Sequence, residues 1–187
     1  GKCLGKGTPV LMSNHQIKKV ELIQIGDGLM GDDYTERVVL STCHGYDKMF
    51  KIIPKNQGDL VWTCNGAHIL CLFNTYTSSI IEISVLDYLK HHSIWQEQYV
   101  MFKMHSNKIG DIPTYLIPFT ITPLGDDDYY GFELSGNGRF LLGDLTVTHN
   151  TSMILACAKE MYGDQMSRYI LELNASDDRG IETVRKK

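Results

Sequence analysis

Two stretches at opposite ends of the chain constrain it more than anything between them. Near the C-terminal end, LTVTHNTSMILACAKEMYG (residues 145–163) begins as a β-branched run, Leu145 to Thr148, and from Ser152 becomes an apolar, helix-spaced run. At the other end the chain opens Gly1-Lys2-Cys3. Set directly before Thr151-Ser152, Gly1-Lys2 yields GKTSMILACAKEMYG, the second half of the phosphate-binding pattern G-x-x-x-x-G-K-[ST] running into its helix. A strand passes into a helix with no loop between them, and a motif is completed only by joining the two ends. Both features imply that residues 3–150 interrupt another protein and fold by themselves.

Composition allows this. The chain has 187 residues, room for one domain of about 150 residues and a tail. Its 43% hydrophobic and 21% charged content is that of a globular protein. The net charge of −4 does not imply a non-specific nucleic-acid surface, and no apolar run approaches the ~20 residues of a membrane span. The start at Gly-Lys-Cys, with neither Met nor a signal pattern, leads us to expect a piece of a longer chain. Five cysteines at irregular spacing (Cys3, Cys43, Cys64, Cys71, Cys157) argue against a disulfide framework and for an intracellular, reducing compartment, nucleus or cytoplasm.

From Val10 to about Leu86 the pattern is one of short strands broken by turn residues: Asn14-His15-Gln16, Gly26-Asp27-Gly28, a glycine at 45 inside RVVLSTCHGYDKMFKII, and Asn65-Gly66. This predicts an all-β domain. Residues 83–99 have a loose helical period, and HSNKIGDIPT (105–114) reads as an exposed linker. The strand pattern returns with TYLIPFTITPLG and DYYGFELSGNGRFLLGDLTVT. After Thr151 a helix over Met153, Ile154, Ala156, Ala158 and Met161 ends at Gly163, followed by the strand run RYILELN and the polar loop ASDDRG. Such a fragment is too small to bury a core alone. Cys64-x₃-His68-x₂-Cys71 has tolerable metal spacing, but residue 71 differs in parity from 64 and 68, so one strand would not gather them; no metal site is assigned.

Three blocks, in order, carry a family resemblance. CLGKGTPVLMSNHQIKKVELIQIGDGLMG resembles the N-terminal splicing block of inteins, with an initiating Cys3 and the turn IGDGLMG. WTCNGAHIL resembles the second block, which ends in a catalytic histidine, here His68. YYGFELSGNGRFLLGDLTVTHN resembles the C-terminal block, which closes with His149-Asn150 before a Cys, Ser or Thr, here Thr151. The resemblance spans Cys3 to Asn150 and implies a mostly β fold: the intein/hedgehog-type horseshoe of short strands with pseudo-two-fold character, without an endonuclease domain, its short linker near residues 91–113. Residues 1–2 would be the N-extein remnant, 3–150 the splicing domain, and 151–187 a short α/β C-extein fragment. The flanks, TSMILACAKEMYG and ILELNASDDRGIETVR, are similar to the small subunits of the clamp loader replication factor C, an AAA+ ATPase of DNA replication. That resemblance implies, for the joined host, ATP and Mg²⁺, with Lys2 reaching the β/γ-phosphates and the Thr151 hydroxyl on the metal. It also implies clamp-loader subunits, a sliding clamp and DNA as partners, and no membrane.

The family's chemistry maps onto single-turnover self-splicing that needs no cofactor. The Cys3 sulfur attacks the carbonyl of Lys2 to give a thioester, Thr151 takes over the acyl group, and Asn150 cyclises and cuts the branch. A thiol with a pKa near ~8.5 is only slightly ionised at neutral pH. His68 is expected to protonate the departing nitrogen of Cys3, with an imidazole titrating near neutrality. Asn65 stands where many inteins have Thr and is expected to hydrogen-bond the scissile amide or the oxyanion, although Asn-Gly alone also reads as a plain hairpin turn. His149 is expected to polarise the Asn150 carbonyl or protonate the leaving group. Two departures bear on the last step. Gly138 falls where a further histidine is usual, which predicts slow cyclisation, and Glu133 stands where many inteins have Asp. Arg139 could substitute, but a solvated arginine is the plainer expectation. Two other readings remain open at this stage: a single-ended, hedgehog-type autocleaver, which would not need Asn150 and Thr151, and a non-catalytic β binding module.

Overall fold

The computed structural model describes residues 2–105 and 112–150. In chain order the strands are β1 (Leu4–Gly5), β2 (Pro9–Leu11), β3 (Ile17–Lys19), β4 (Gly28–Met30), β5 (Glu36–Pro54), β6 (Trp62–Asn65), β7 (Ile69–Asn74), β8 (Ile80–Ser84), β9 (Tyr99–Lys103), β10 (Tyr115–Ile117), β11 (Phe119–Leu134), β12 (Arg139–Leu141) and β13 (Val147–His149). Two short helices, α1 (Val85–Leu89) and α2 (Ser93–Gln96), lie in the segment with the helical period. The Ser84 hydroxyl caps α1 by accepting from the Asp87 amide, as an N-cap serine does. Among the described residues no helix is long and apolar enough to cross a membrane. The expected C-terminal helix, strand and loop, and Thr151 itself, lie outside the described residues.

The architecture is mostly β, as expected, but its strands are not all short. β5 runs for 19 residues and β11 for 16, paired antiparallel from Phe119↔Pro54 to Leu134↔Val39. Gly45 was expected to break β5, and it does not. It lies opposite Tyr129, whose ring covers the glycine: a Cβ there would sit 2.5 Å from the Tyr129 hydroxyl oxygen. A cross-strand aromatic fills the gap a strand glycine leaves. β1 pairs with β11 on one side and β6 on the other, and β6 pairs with β5, so β11, β1, β6 and β5 pair in a closed ring.

A second sheet has the order β10-β9-β7-β13-β12, with β8 on the other side of β7. The expected linker near 91–113 is corrected here. Residues 93–96 form α2, and 99–103 form β9, whose Val100, Met101 and Phe102 are buried. Their apolar side chains place this stretch in the body of the fold. One core cluster includes Leu4, Phe50, Ile52, Trp62, Cys64, Leu70 and Phe140; another includes Leu11, Met30, Cys71, Phe73, Phe102 and Val147. Each fully buried side chain of this size contributes about 1.5–3 kcal/mol, which holds the strand ends at the site in place.

Candidate active site

The N-terminal junction is built on β1 and β6. Leu4 pairs with Cys64, which brings the next residue, Asn65, beside Cys3. Asn65 grips both polar groups of the Cys3 backbone: its Oδ1 accepts from the Cys3 amide at 3.0 Å, and its own amide donates to the Cys3 carbonyl at 3.0 Å. Asn65-Gly66 is a turn, as its residues suggest, and its side chain also holds the peptide at Cys3. A Cβ on Gly66 would meet Leu86 Cγ at 2.6 Å, so the glycine lets α1 pack against the turn. The amides of Val85 and Leu86 donate to the carbonyls of His68 and Gly66.

Cys3 is fully buried. Burial pushes its thiol well above the ordinary range, and Cys43 adds to the shift; the two sulfurs are 3.6 Å apart. Sequence reasoning missed Cys43. It sits opposite Gly131 in the β5–β11 pairing, and Gly131 is also the floor under Cys3. A Cβ at Gly131 would lie 2.4 Å from Cys3 Sγ and 3.2 Å from both Cys43 Sγ and the Lys2 carbonyl oxygen. The glycine therefore makes room for both thiols, and no local pattern announced this, since it depends on the register of three strands.

His68 is fully buried in the turn between β6 and β7. Its Nε2 shares a 2.6 Å hydrogen bond with Thr148 Oγ1, and its ring meets Trp62 edge-on at 5.6 Å between centroids. The expectation that it titrates near neutrality is corrected: burial, aided by the nearby His149 and Lys2, lowers its pKa to about 3. His68 is therefore neutral at physiological pH. Thr148 Oγ1 also lies 3.3 Å from the Ile69 carbonyl as a donor. With the hydroxyl proton directed there, His68 Nε2 is the donor of the first bond and Nδ1 is a bare, buried lone pair with no partner among the described residues.

The C-terminal junction leaves β13. His149 sits between Arg139 on β12 and Ile69 on β7. Burial lowers its pKa, while the Glu82 carboxylate opposes that shift. Asn150 is buried; its amide donates to the Gly138 carbonyl at 2.9 Å and its side-chain Nδ2 to the Phe132 carbonyl at 2.8 Å. Gly138 has φ +78°, and a Cβ there would lie 2.5 Å from the Asn150 carbonyl oxygen and 2.9 Å from His149 Nε2. The backbone conformation and the space both require glycine where a further histidine was expected. Arg139 is half-buried and paired, not freely solvated: it bonds Glu82 at 2.7 Å and lies 3.6 Å from Asp32. Glu133 is buried, with the Ser41 hydroxyl 3.5 Å from its carboxylate.

The structure thus brings Lys2, Cys3 and Asn65 together at one end of a single site and His149 and Asn150 at the other, with His68 bridged to the second group through Thr148. The metal spacing does not converge. Residues 64–71 are two strands and a turn, Cys64 lies in one core cluster and Cys71 in the other, and no group of three metal-ligating side chains forms among the described residues.

The family model described as Hom_end-associated Hint matches residues 3–112. Replication factor C small subunit of Pyrococcus furiosus is 44% identical over 64 residues, 34% of this chain and 8% of that protein. Probable replication factor C subunit 5 of Dictyostelium discoideum is 60% identical over 40 residues, 21% of this chain and 12% of that protein. The chain therefore covers a small part of the clamp-loader relatives it is similar to. The crystal structure of the gp41-1 intein superposes with a TM-score of 0.57 at 22% identity, covering 80% of this chain and 99% of that one, which shows a shared fold. With its three blocks, its paired junctions and a family match beginning at Cys3, the chain belongs to the Hom_end-associated Hint family.

Proposed function

We propose that residues 3–150 excise themselves from a clamp-loader subunit by protein splicing and join Lys2 to Thr151. The observation that carries this reading is the path of β11. Gly131 lies against Cys3 Sγ and the Lys2 carbonyl, and the next residue, Phe132, accepts the side-chain hydrogen bond of Asn150. Consecutive residues of one strand thus serve both junctions, an arrangement that a single-ended cleaver or a binding module does not need.

Cys3 Sγ attacks the Lys2 carbonyl carbon. The C–S bond forms, the C–N bond to Cys3 breaks, and the departing nitrogen needs a proton. His68 carries a bare Nδ1, and the burial that lowers its pKa makes it a weak base but, once protonated, a strong acid, so its role is to give a proton to that nitrogen as the C–N bond breaks and to receive the thiol proton in exchange. Asn65, bonded to both sides of Cys3, orients the peptide. Thr151 Oγ then attacks the thioester carbon: the C–O bond forms, the C–S bond to Cys3 breaks, and the hydroxyl proton ends on the Cys3 sulfur. Asn150 Nδ2 closes on its own carbonyl carbon, expelling the nitrogen of Thr151, and that free amine displaces the ester oxygen to leave the Lys2–Thr151 amide. In the joined product, Lys2 and Thr151 would complete the host nucleotide loop for ATP and Mg²⁺. The test is intact mass measurement of the fresh chain before and after incubation with reductant. The reading expects an excised 3–150 species carrying a C-terminal succinimide and a ligated Lys2–Thr151 product. Cleavage after Lys2 alone, with no ligation under any condition, would overturn it.

A further inference from the structure

The downstream junction contains a charged pair that the steps above do not use. β7 lies between β13 and β8: Ile69 is opposite His149 on one side, and Cys71 is opposite Glu82 on the other. Residues 69 and 71 share a face of the strand, so His149 and Glu82 stand on that same face. Arg139, directly opposite His149 on β12, joins them. The Glu82 carboxylate divides its oxygens: Oε1 takes Arg139 Nη2 at 2.7 Å and Nε at 2.8 Å, and Oε2 lies 3.2 Å from His149 Nε2. His149 Nε2 is also 3.1 Å from the Asn137 carbonyl oxygen. A ring nitrogen facing a carboxylate and a carbonyl, both acceptors, must carry the proton. His149 Nδ1 is then the unprotonated nitrogen, and it is buried with no partner among the described residues, as is Asn150 Oδ1.

We propose that Glu82, held by Arg139, is the positioning residue of the downstream junction: its carboxylate keeps His149 as the Nε2–H tautomer and leaves the Nδ1 lone pair for the chemistry at Asn150. This rests on the splicing reading. In the step it serves, the bond from Asn150 Nδ2 to the Asn150 carbonyl carbon forms and the bond from that carbon to the Thr151 nitrogen breaks. The proton leaves Nδ2, rests on His149 Nδ1, and passes to the Thr151 nitrogen. The transient imidazolium faces Glu82 from β8, which stabilises it. It also faces Arg139 from β12, Lys2 from the N-terminal segment and His68 from the turn before β7, which do not. Carboxylate and imidazole stand in the relation that orients a catalytic histidine elsewhere. Arg139, expected from sequence to be solvated, is the strut of that carboxylate.

The experiment uses the full chain carrying Cys3→Ala, which isolates release after Asn150, measured by mass between pH 5 and 8. Glu82→Gln should slow release about fivefold, the worth of a partly exposed ion pair, and move the acid limb of the profile to lower pH. Glu82→Asp should restore most of the rate and the profile. Nitrogen-15 NMR of His149 in the Cys3→Ala/Asn150→Ala chain should show a protonated Nε2. A Glu82→Gln chain with the parental rate and profile, or an Nδ1–H tautomer in the NMR sample, overturns the inference. So does equal damage from Gln and Asp with no change in profile, the mark of a merely structural role. If the Cys3→Ala parent releases nothing, the splicing reading fails, and the role of Glu82 is decided by whether Glu82→Gln lowers the Nε2–H population in the NMR sample, since the Asn137 carbonyl also favours that tautomer.

Discussion

Gly131→Ala separates the two junctions of the site, because the added methyl group falls on one of them. Its carbon would stand 2.4 Å from Cys3 Sγ, 3.2 Å from Cys43 Sγ and 3.2 Å from the Lys2 carbonyl oxygen. Ordinary contacts between heavy atoms begin near ~3.5 Å, so the Cys3 sulfur must retreat by about 1 Å. Cys43 Sγ, 3.6 Å away, limits where it can go. A displacement of ~1 Å at a reacting atom costs on the order of 100-fold in rate, while overpacking a buried site costs about 1–3 kcal/mol of stability. The assay is cleavage after Lys2 by dithiothreitol, followed by mass, with release after Asn150 as the internal control and urea unfolding as the check on folding. We expect thiol cleavage to fall about 100-fold and downstream release by much less. A folded Gly131→Ala chain that cleaves after Lys2 at the parental rate would refute the assignment of β11 as the floor of the nucleophile.

Three further outcomes follow from particular side chains. His68 has a folded-state pKa lowered from 6.5 to about 3, so its contribution to stability is complete above pH ~6.5 and is lost as pH falls toward ~3; in urea unfolding of the Cys3→Ala chain, His68→Gln should flatten that acid dependence by up to ~1.4 kcal/mol per pH unit, and an unchanged slope would mean His68 is not held neutral. Cys43 is partly exposed whereas Cys3, Cys64 and Cys71 are buried with raised thiol pKa values, so limited alkylation at pH 8 followed by peptide mapping should mark Cys43 before those three, and first labelling of Cys3 would contradict its burial. Gly138→His, which restores the residue usual in the family, should slow release after Asn150, because at φ +78° its Cβ would meet the Asn150 carbonyl oxygen at 2.5 Å; faster release would show that the missing histidine, and not the backbone, limits the step.

Much of this site was legible in one dimension because its chemistry sits at chain junctions. Cys3 and Asn150 are marked by the broken G-K-[ST] pattern on either side of them, and His68 and Asn65 by a short block around a turn. The mostly β fold followed from turn residues at Gly26-Asp27-Gly28 and Asn65-Gly66, which do end or separate strands. What escaped was whatever depended on the partner across a strand. Gly45 reads as a breaker locally, yet the Tyr129 ring carries β5 through it. The charge state of His68 followed from complete burial, which a composition-level pKa cannot express. Gly131 and Cys43 acquired a role only when β1, β11 and β5 came into register around Cys3. Glu82 and Arg139 met His149 only because β7 places β8 and β13 on its two edges. The sequence by itself determined which covalent bonds the proposed splicing would exchange, since its nucleophiles and scissile bonds are neighbours along the chain. Only the tertiary structure decided which groups hold and desolvate them, because those interactions act through distances of a few ångströms between residues far apart in the chain.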